Sequence, residues 1–496
     1  MNEMRDRTLG AGGAALSRRA AMAGMAAGFC VSQLGSRAGA VTPVGLEDGI
    51  VQAIAALDVD RTKPLKVLLP AGSGASLGSV TRAFEARTGV RIDLVEVPVD
   101  NINTRLLMDK MLGGESVDVA LPATFALPDL VTAEVIRPLD GYRQRYEPEG
   151  FRDGILYNVG DSFEDRTYGF QTDGDAYVMF YHAQMLTDPA FQARYADQFG
   201  MSLGIPLTWE ELDRQTAFFH APDEGRFGGL MVRTPPRAAW EFWIRLHAKG
   251  IWPLAPDMTP QFAGPEGIAA LEEMMRASAH QVPEAWQPGL TESWDRFARG
   301  DVFCTIGWGG TYKYVNQPGS QVKGKLVFGP TPGGIVGGEL LLTPYFNWGW
   351  NYVVTTASAR PELAYLFCLF AATPDMSTLA VRETGSFFDP FRPEHYRDSG
   401  ILEAYSNPFL DVQRQSLERA IPDFYLRGQS EYFRVLGEGL LEALTGEVSP
   451  DMALKHVVQL WELITSRSGR DTQSARWAEL RAKYPAEAQR ILRDAV

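Results

Sequence analysis

Three short apolar segments alternate with two stretches of helical periodicity between residues 65 and 122. Residues 65–70, 90–94 and 117–122 have the length and apolar content of strands. Glycine ends both helical stretches, at Gly89 and at Gly113. Strands that are joined through helices run parallel, and the helices then cover both faces of the sheet. The pattern therefore predicts an α/β fold.

The remainder of the chain predicts a second lobe. A length of 496 residues favours two or more lobes, and 45% hydrophobic with 22% charged residues is typical of a folded chain. Helical segments recur after Thr208, and two more strands are expected at 302–306 and 351–356. A glycine- and proline-rich stretch, 329–334, has the composition of a segment that crosses between lobes.

Residues 1–40 have the pattern of an export signal. Ser17-Arg18-Arg19 precedes an apolar run, and a small-residue cleavage site lies near Ala40. The paired arginines are typical of the twin-arginine route, and Phe29 before Cys30 disfavours lipidation. We expect cleavage near Ala40, a short extension over 41–63, and a periplasmic protein that does not span the membrane.

Composition and motifs exclude several functions. A net charge of −14 disfavours nucleic-acid binding, and three cysteines cannot form a disulfide framework. Cys304 and Cys368 lie in apolar stretches, where buried, inert thiols are expected. Gly72-Ser73-Gly74 lacks the third glycine of a dinucleotide motif, and the six histidines have no zinc spacing. We therefore expect no cofactor, no metal and no catalysis.

Asp173-Gly174-Asp175 precedes a strand-like segment. Two carboxylates beside a glycine could ligate a metal or accept hydrogen bonds from neighbouring hydroxyls. The further oxygen ligands that calcium requires do not follow in this segment. A solvated turn remains the alternative.

Tryptophans next to glycines form the strongest local signal. Trp308 follows one expected strand, and Trp348 and Trp350 precede another. An aromatic ring packs well against the apolar face of a pyranose, while Asp, Asn and Gln bind its hydroxyls. We interpret these three tryptophans as ligand contacts, with core packing as the alternative. Tryptophans inside helices are expected in the core; these are Trp243, Trp461 and Trp477.

A series of segments, in order and spacing, resembles the maltose-binding-like extracellular solute-binding proteins of family 1, the receptors of ABC importers. They are Phe-Glu-Ala-Arg-Thr-Gly-Val-Arg-Ile at 84–92, Val-Asp-Val-Ala at 117–120, Val-Ile-Arg-Pro-Leu-Asp at 135–140, Phe-Ala-Arg-Gly-Asp-Val at 297–302, Gly-Trp at 307–308 and Leu-Thr-Gly-Glu-Val-Ser-Pro-Asp-Met-Ala-Leu at 444–454. The likeness covers about residues 64 to 470. Two departures are Tyr181-His182-Ala183, where the family usually has lysine, and the segment 385–392, which is reminiscent of a subgroup only.

The resemblance implies a periplasmic-binding-protein-like fold, in which crossing strands join two α/β lobes and a ligand binds in the cleft. The first lobe would take 64–172 and 331–400, and the second 173–330 and 401–496. The resemblance implies ligand contacts from eight residues, namely Phe125, Asp173, Asp175, Trp240, Trp308, Trp348, Trp350 and Tyr432.

The function implied is that of a monomeric periplasmic component of an ABC importer. It would capture a carbohydrate or polyol and deliver it to the membrane permease. Two alternatives remain open at this point. The same fold could bind a cationic ligand such as a polyamine, with aspartates and tryptophans forming the site. A secreted glycoside hydrolase could use the same aromatic cleft with two carboxylates.

Overall fold

A computed structural model of the chain describes residues 45–113, 117–287 and 289–495. The expected export signal and its cleavage site lie outside the described residues. Within the expected extension, a helix over Leu46–Ala56 buries Ile50 and Ile54.

The first sheet has five strands in the order β2-β1-β3-β14-β6. These strands are β1 Leu65–Pro70, β2 Ile92–Val97, β3 Val119–Ala120, β6 Gly169–Gln171 and β14 Asn351–Val354. β1 pairs in parallel with both β2 and β3, which confirms the predicted α/β pattern. β14 runs antiparallel between β3 and β6, so a distant part of the chain completes this sheet.

The second sheet has four strands in the order β10-β7-β9-β8. They are β7 Val178–His182, β8 Phe227–Leu230, β9 Val302–Gly307 and β10 Leu326–Pro330. Every residue of β7 is buried, because helices or loops cover both faces of this central strand. The two sheets are the centres of the two lobes.

Short strands complete the β structure. These are β4 Ser162–Phe163, β5 Arg166–Thr167, β11 Gly334–Val336, β12 Glu339–Leu341, β13 Tyr345–Phe346 and β15 Ile421–Pro422. The chain passes from the first sheet to the second between β6 and β7, and it returns between β10 and β14. The second passage begins within the glycine- and proline-rich stretch at 329–334.

Helices surround both sheets across the described residues. They are Leu46–Ala56, Gly74–Thr88, Ile102–Leu112, Leu127–Thr132, Asp140–Tyr146, Ala183–Thr187, Pro189–Phe199, Trp209–Phe219, Pro235–Ala248, Pro265–Ser278, Leu290–Phe297, Gly309–Val315, Pro361–Ala371, Pro374–Arg382, Ser399–Ala404, Asn407–Glu418, Gln429–Leu444, Pro450–Ser468, Arg470–Ala482 and Ala486–Ile491. Among these residues no single helix is long and apolar enough to cross a membrane. The bent pair Pro361–Ala371 and Pro374–Arg382 passes that test by length and composition alone.

Local sequence signals account for several helix ends. Gly89 follows Gly74–Thr88 with a φ of 71°, a left-handed conformation in which glycine avoids a steric penalty. Thr208 caps Trp209–Phe219 by accepting the backbone N–H of Glu211 at 3.2 Å. The Glu211 carboxylate accepts the N–H of Leu207 at 2.9 Å, one residue before the position of a standard capping box.

Candidate functional site

Six aromatic side chains from both lobes meet where the chain crosses between the sheets. This aromatic cluster consists of Phe125, Tyr177, Trp240, Trp308, Trp348 and Trp350. Phe125 follows β3 and the last two tryptophans precede β14, all in the first lobe; Tyr177 precedes β7 and Trp308 follows β9 in the second. The sequence therefore places five of these rings near strand ends and Trp240 in the helix Pro235–Ala248, and the fold brings all six together.

The rings of the aromatic cluster contact each other mostly edge to face. Trp348 is central: its ring centroid lies 5.3 Å from that of Trp240, 6.0 Å from Trp308, 5.7 Å from Trp350 and 5.6 Å from Phe125. Each such contact adds about 0.5–1.5 kcal/mol beyond burial. Five of the residues expected at a ligand site are thus brought together, and all but Phe125 are buried.

Two small cavities adjoin the aromatic cluster and share Leu290, Trp294 and Trp308 in their walls. The first, of about 20 Å³, has Arg237 in its wall. The second, of about 30 Å³, has Asp175 in its wall. We call them the Arg237 cavity and the Asp175 cavity. Each volume exceeds the ~10–15 Å³ that a cavity needs to hold one water molecule, and neither has room for a sugar ring unless this wall rearranges.

Two polar groups in the cluster have no hydrogen-bond partner among the described residues. They are the indole N–H of Trp348 and the amide nitrogen of Asn347, both buried. The carbonyl oxygen of Asn347 accepts the indole N–H of Trp308 at 3.1 Å. An unpartnered buried donor costs about 1–3 kcal/mol, so an acceptor at this position would be stabilising.

Three buried carboxylates come together around the crossing between β6 and β7. Asp173 and Asp175 lie on that crossing, and Asp389 comes from the segment 385–392. One oxygen of each lies within 4.8 Å of the others. Burial raises the pKa of all three, and like charge raises those of Asp173 and Asp175 further. Asp175 and Asp389 hydrogen-bond to each other, which requires a proton on one of them.

Gly174 allows this close approach. A Cβ atom at Gly174 would lie 2.1 Å from the carbonyl oxygen of Pro390, so a side chain there would push the two segments apart. The amide of Gln413 closes the junction by donating to the carbonyl oxygens of Gly174 at 2.7 Å and Pro390 at 3.0 Å. The solvated turn considered from the sequence is therefore wrong, because Asp173 and Asp175 are buried.

Hydrogen-bond donors already occupy most oxygens that a metal would need. The donors are the N–H of Gly309 to Asp389 at 2.6 Å, the hydroxyl of Tyr405 to Asp389 at 2.8 Å, the N–H of Asp389 to Asp173 at 2.7 Å and the N–H of Gly349 to Asp175 at 3.2 Å. The ammonium of Lys313 also faces Asp389 and Asp173 and would repel a cation. The arrangement favours a proton-sharing junction over a metal site.

Lys313 connects the second lobe to the segment 385–392. It lies in the helix Gly309–Val315 and is 4% exposed. Its Nζ donates to four oxygens at 2.9 to 3.2 Å, those of Val381, Glu383, Ser386 and Phe388. Burial lowers the pKa of Lys313 to about 8, although the nearby carboxylates oppose that shift.

Arg237 lies against three indole rings of the aromatic cluster. Its guanidinium carbon is 5.0 Å from the ring centroid of Trp308, 5.4 Å from Trp240 and 5.5 Å from Trp348. The hydroxyl of Tyr177 lies beside it; burial raises the pKa of Tyr177 to about 12, and Arg237 opposes that rise. A guanidinium is attracted to aromatic faces without losing its charge.

Tyr432 is not brought to the aromatic cluster. It lies in the helix Gln429–Leu444, fully buried, and its hydroxyl bonds to the Thr465 hydroxyl at 2.7 Å. Within the described chain its ring contacts are Phe424 and Trp461. The packing of this helix against Pro450–Ser468 accounts for Tyr432, which has a core position in place of the expected cleft position.

Sequence reasoning missed Arg237, Asn347, Lys313 and Asp389 as parts of this site. Arg237 precedes Trp240 by three residues, so both share one face of the helix Pro235–Ala248. Asn347 stands directly before Trp348 within a segment that was already singled out. Lys313 and Asp389 have no comparable local signal, because their roles come from contacts between residues distant in the chain.

Solved structures with this fold are bacterial transport receptors. The ribitol complex of an ABC transporter solute-binding protein from Agrobacterium radiobacter K84 has a TM-score of 0.69 and 18% identity, covering 81% of this chain and 100% of that one. A tagatose-bound solute-binding protein from Thermotoga lettingae TMO has the same TM-score and identity, covering 81% and 99%. Maltose-bound MalE3 of T. maritima has a TM-score of 0.67 and 19% identity, covering 80% and 99%. No curated protein sequence is significantly similar to this chain.

Two α/β lobes joined by crossing segments define the periplasmic-binding-protein-like class. The chain belongs to the family of bacterial extracellular solute-binding proteins, whose sequence profile matches residues 79–405. Membership confirms the fold class and the resemblance inferred from the sequence.

Proposed function

We propose that this protein is the periplasmic substrate-binding component of an ABC importer and that it captures a carbohydrate or polyol. It would act as a monomer, deliver its solute to the membrane permease and catalyse no reaction. Export would use the twin-arginine signal, with cleavage near Ala40. Structural neighbours solved with ribitol and with tagatose support a polyhydroxylated solute.

The observation that carries the proposal is the aromatic cluster with its two unpartnered donors. Tryptophan rings offer flat apolar surface to the C–H face of a sugar. The indole N–H of Trp348 and the amide of Asn347 can each donate to a solute hydroxyl, and Asp175 in the adjacent cavity wall can exchange hydrogen bonds with another. Because both lobes contribute rings, a bound solute would stabilise the closed form.

Two observations weigh against the alternatives. Arg237 already faces three rings of the cluster, so a polyamine would meet a cation at the site where it needs an aromatic box. Asp175, in the wall of the Asp175 cavity, hydrogen-bonds to Asp389. A glycosidase pair stands ~5–9.5 Å apart with the substrate between its members, so this pair is unsuited to hydrolysis.

The first test is a thermal-shift screen of the mature protein against mono- and oligosaccharides, polyols and polyamines. A solute at a hundred times its dissociation constant adds about 2.7 kcal/mol of stability and raises the melting temperature. A response to amines alone would contradict the proposal, as would silence across the panel. Incubation with aryl glycosides tests the hydrolase alternative, since a receptor releases no aglycone.

The second test is Trp308→Ala, measured by calorimetry with the solute that the screen identifies. We expect affinity to fall at least tenfold, or by about 1.4 kcal/mol, because one of the two tryptophan rings that both cavities share is lost. Trp286→Ala is the matched control, since Trp286 is 38% exposed and contributes to neither cavity wall. Equal affinities of the two folded variants would remove Trp308 from the site.

A further inference from the structure

Arg237 is a cation without an acidic partner in the wall of the cleft. Of the described residues, none forms a salt bridge with it, whereas most buried or half-buried arginines of this chain have one. Arg233 and Arg245, on or beside the same helix, both pair with Glu241, and Arg152 pairs with Glu147 and Asp161. Arg237 is half-buried, so water compensates only part of its charge.

The nearest carboxylate along the helix is already neutralised. Glu241 lies one turn after Arg237 and contributes to the same cavity wall. It accepts hydrogen bonds from Arg233 and from Arg245, the latter at 2.9 Å, and these two guanidinium groups hold the pKa of Glu241 below its usual value although burial opposes them. Glu241 therefore carries negative charge, but that charge faces two other cations.

The carboxylates on the far side of the cleft do not balance Arg237 either. Asp175 contributes to the second cavity and hydrogen-bonds to Asp389, so the two share a proton. Lys313 offsets charge remaining on Asp389 and Asp173. The cleft between the tryptophans is left with the positive charge of Arg237, within a protein whose formal net charge is −14.

The surroundings of Arg237 leave it able to bind an anion. Indole rings attract the guanidinium through their faces and fix its position, yet they accept none of its N–H groups as a carboxylate would. Two parallel N–H groups of arginine match the two oxygens of a carboxylate, and such bidentate pairs are stronger than neutral hydrogen bonds. The Arg237 cavity, which also has Tyr177 and Thr305 in its wall, lies where that carboxylate would bind.

We propose that the solute is a sugar acid, a polyhydroxylated compound with one carboxylate that binds Arg237 while its apolar face packs on Trp348 and Trp350. This inference rests on the proposed function and narrows it from neutral carbohydrates to acidic ones. It assigns Arg237 as the specificity-determining residue. The two cavities would be the two ends of one binding site, joined at Trp308.

Matched pairs of acid and neutral sugar test the proposal at pH 7.5, where sugar carboxylates with a pKa near ~4 are ionised. The pairs are D-glucuronate and D-glucose, D-galacturonate and D-galactose, and D-gluconate and D-glucitol. We expect at least one acid to bind at least tenfold more tightly than its neutral partner. Affinity for the acid should fall as sodium chloride is raised, because part of the attraction is between charges.

Variants of Arg237 separate charge from shape. Arg237→Gln should abolish the preference for the acid, so that the acid and its neutral partner bind the variant with affinities within about twofold of each other. Arg237→Lys should keep part of the preference, since it keeps the charge and loses the bidentate geometry. Arg434→Gln is the control, because Arg434 is an exposed helix residue that pairs with Glu438 and contributes to neither cavity wall. It should bind as the parent protein does.

The outcomes distinguish this inference from the broader function. Binding of neutral sugars or polyols that equals or exceeds binding of their acids overturns the sugar-acid proposal and leaves the receptor function standing. An acid preference that persists in Arg237→Gln overturns the role of Arg237. Silence towards every acid and every neutral compound, with amines as the sole ligands, overturns both proposals together.

Discussion

Replacement of Lys313 by methionine should destabilise the protein and loosen one wall of the cleft. The two side chains have similar length, so the change removes the charge and the donors with little change of shape. Four oxygens at 2.9 to 3.2 Å from Nζ lose their donor, and the charge opposing Asp389 and Asp173 disappears. Removing one partner from a buried charged network costs about 3–5 kcal/mol.

Equilibrium urea unfolding of the parent protein and of Lys313→Met measures this loss as a lower midpoint. The matched control is Lys455→Met, the same chemical change at a lysine whose side chain is 63% exposed and which pairs with Asp451 at 2.8 Å. A surface pair of that kind contributes about 0.2–1 kcal/mol. The reasoning is refuted if the free energies of unfolding of the two variants lie within about 1 kcal/mol of each other, because that difference is no larger than the contribution of a surface pair.

Two further variants test the pH dependence and the corrected position of Tyr432. Burial raises the pKa of Asp423 to about 7 from 3.8, so the folded protein binds this proton more tightly than the unfolded chain. The resulting stability is present below about pH 4 and is lost as the pH rises through about 7. The free energy of unfolding of Asp423→Asn, relative to that of the parent, should therefore rise by up to about 4 kcal/mol between pH 4 and pH 8. Urea unfolding at a series of pH values measures this difference, and parallel pH profiles of the two proteins would argue against it. Tyr432→Phe should lose about 1 kcal/mol of stability, because it loses the hydrogen bond to Thr465, and it should keep full affinity for the solute. A weakened affinity would show that Tyr432 contributes to the binding site.

Features that depend on neighbours in the sequence were predictable. The alternation over residues 65–122 predicted the parallel strands, and glycines marked the ends of helices, because periodicity and backbone freedom are local properties. The third strand was predicted over 117–122 and is assigned only at Val119–Ala120. Its pairing nevertheless extends further, since Asp118 N–H bonds to Lys66 O and Leu121 N–H to Leu68 O.

Features that depend on contacts between distant residues were not predictable. Asp389 donates its N–H to Asp173, 216 residues earlier, and nothing in the local pattern of either segment specifies that contact. Tyr432 was assigned to the cleft by approximate correspondence with relatives, and one turn of a helix suffices to move a side chain from a cleft to a core. The tryptophans were easier to assign, because strand ends in an α/β lobe converge on the same edge.

The two cysteines of the described chain bear on where the protein can mature. Cys304 lies in β9 and Cys368 in the helix Pro361–Ala371; both are free and buried, and burial raises the pKa of each thiol above its ordinary value. This part of the chain therefore reaches its native form without an oxidation step. In the described residues a reducing cytosol and an oxidising exterior leave the same covalent bonds, so the export proposed above is compatible with folding before translocation.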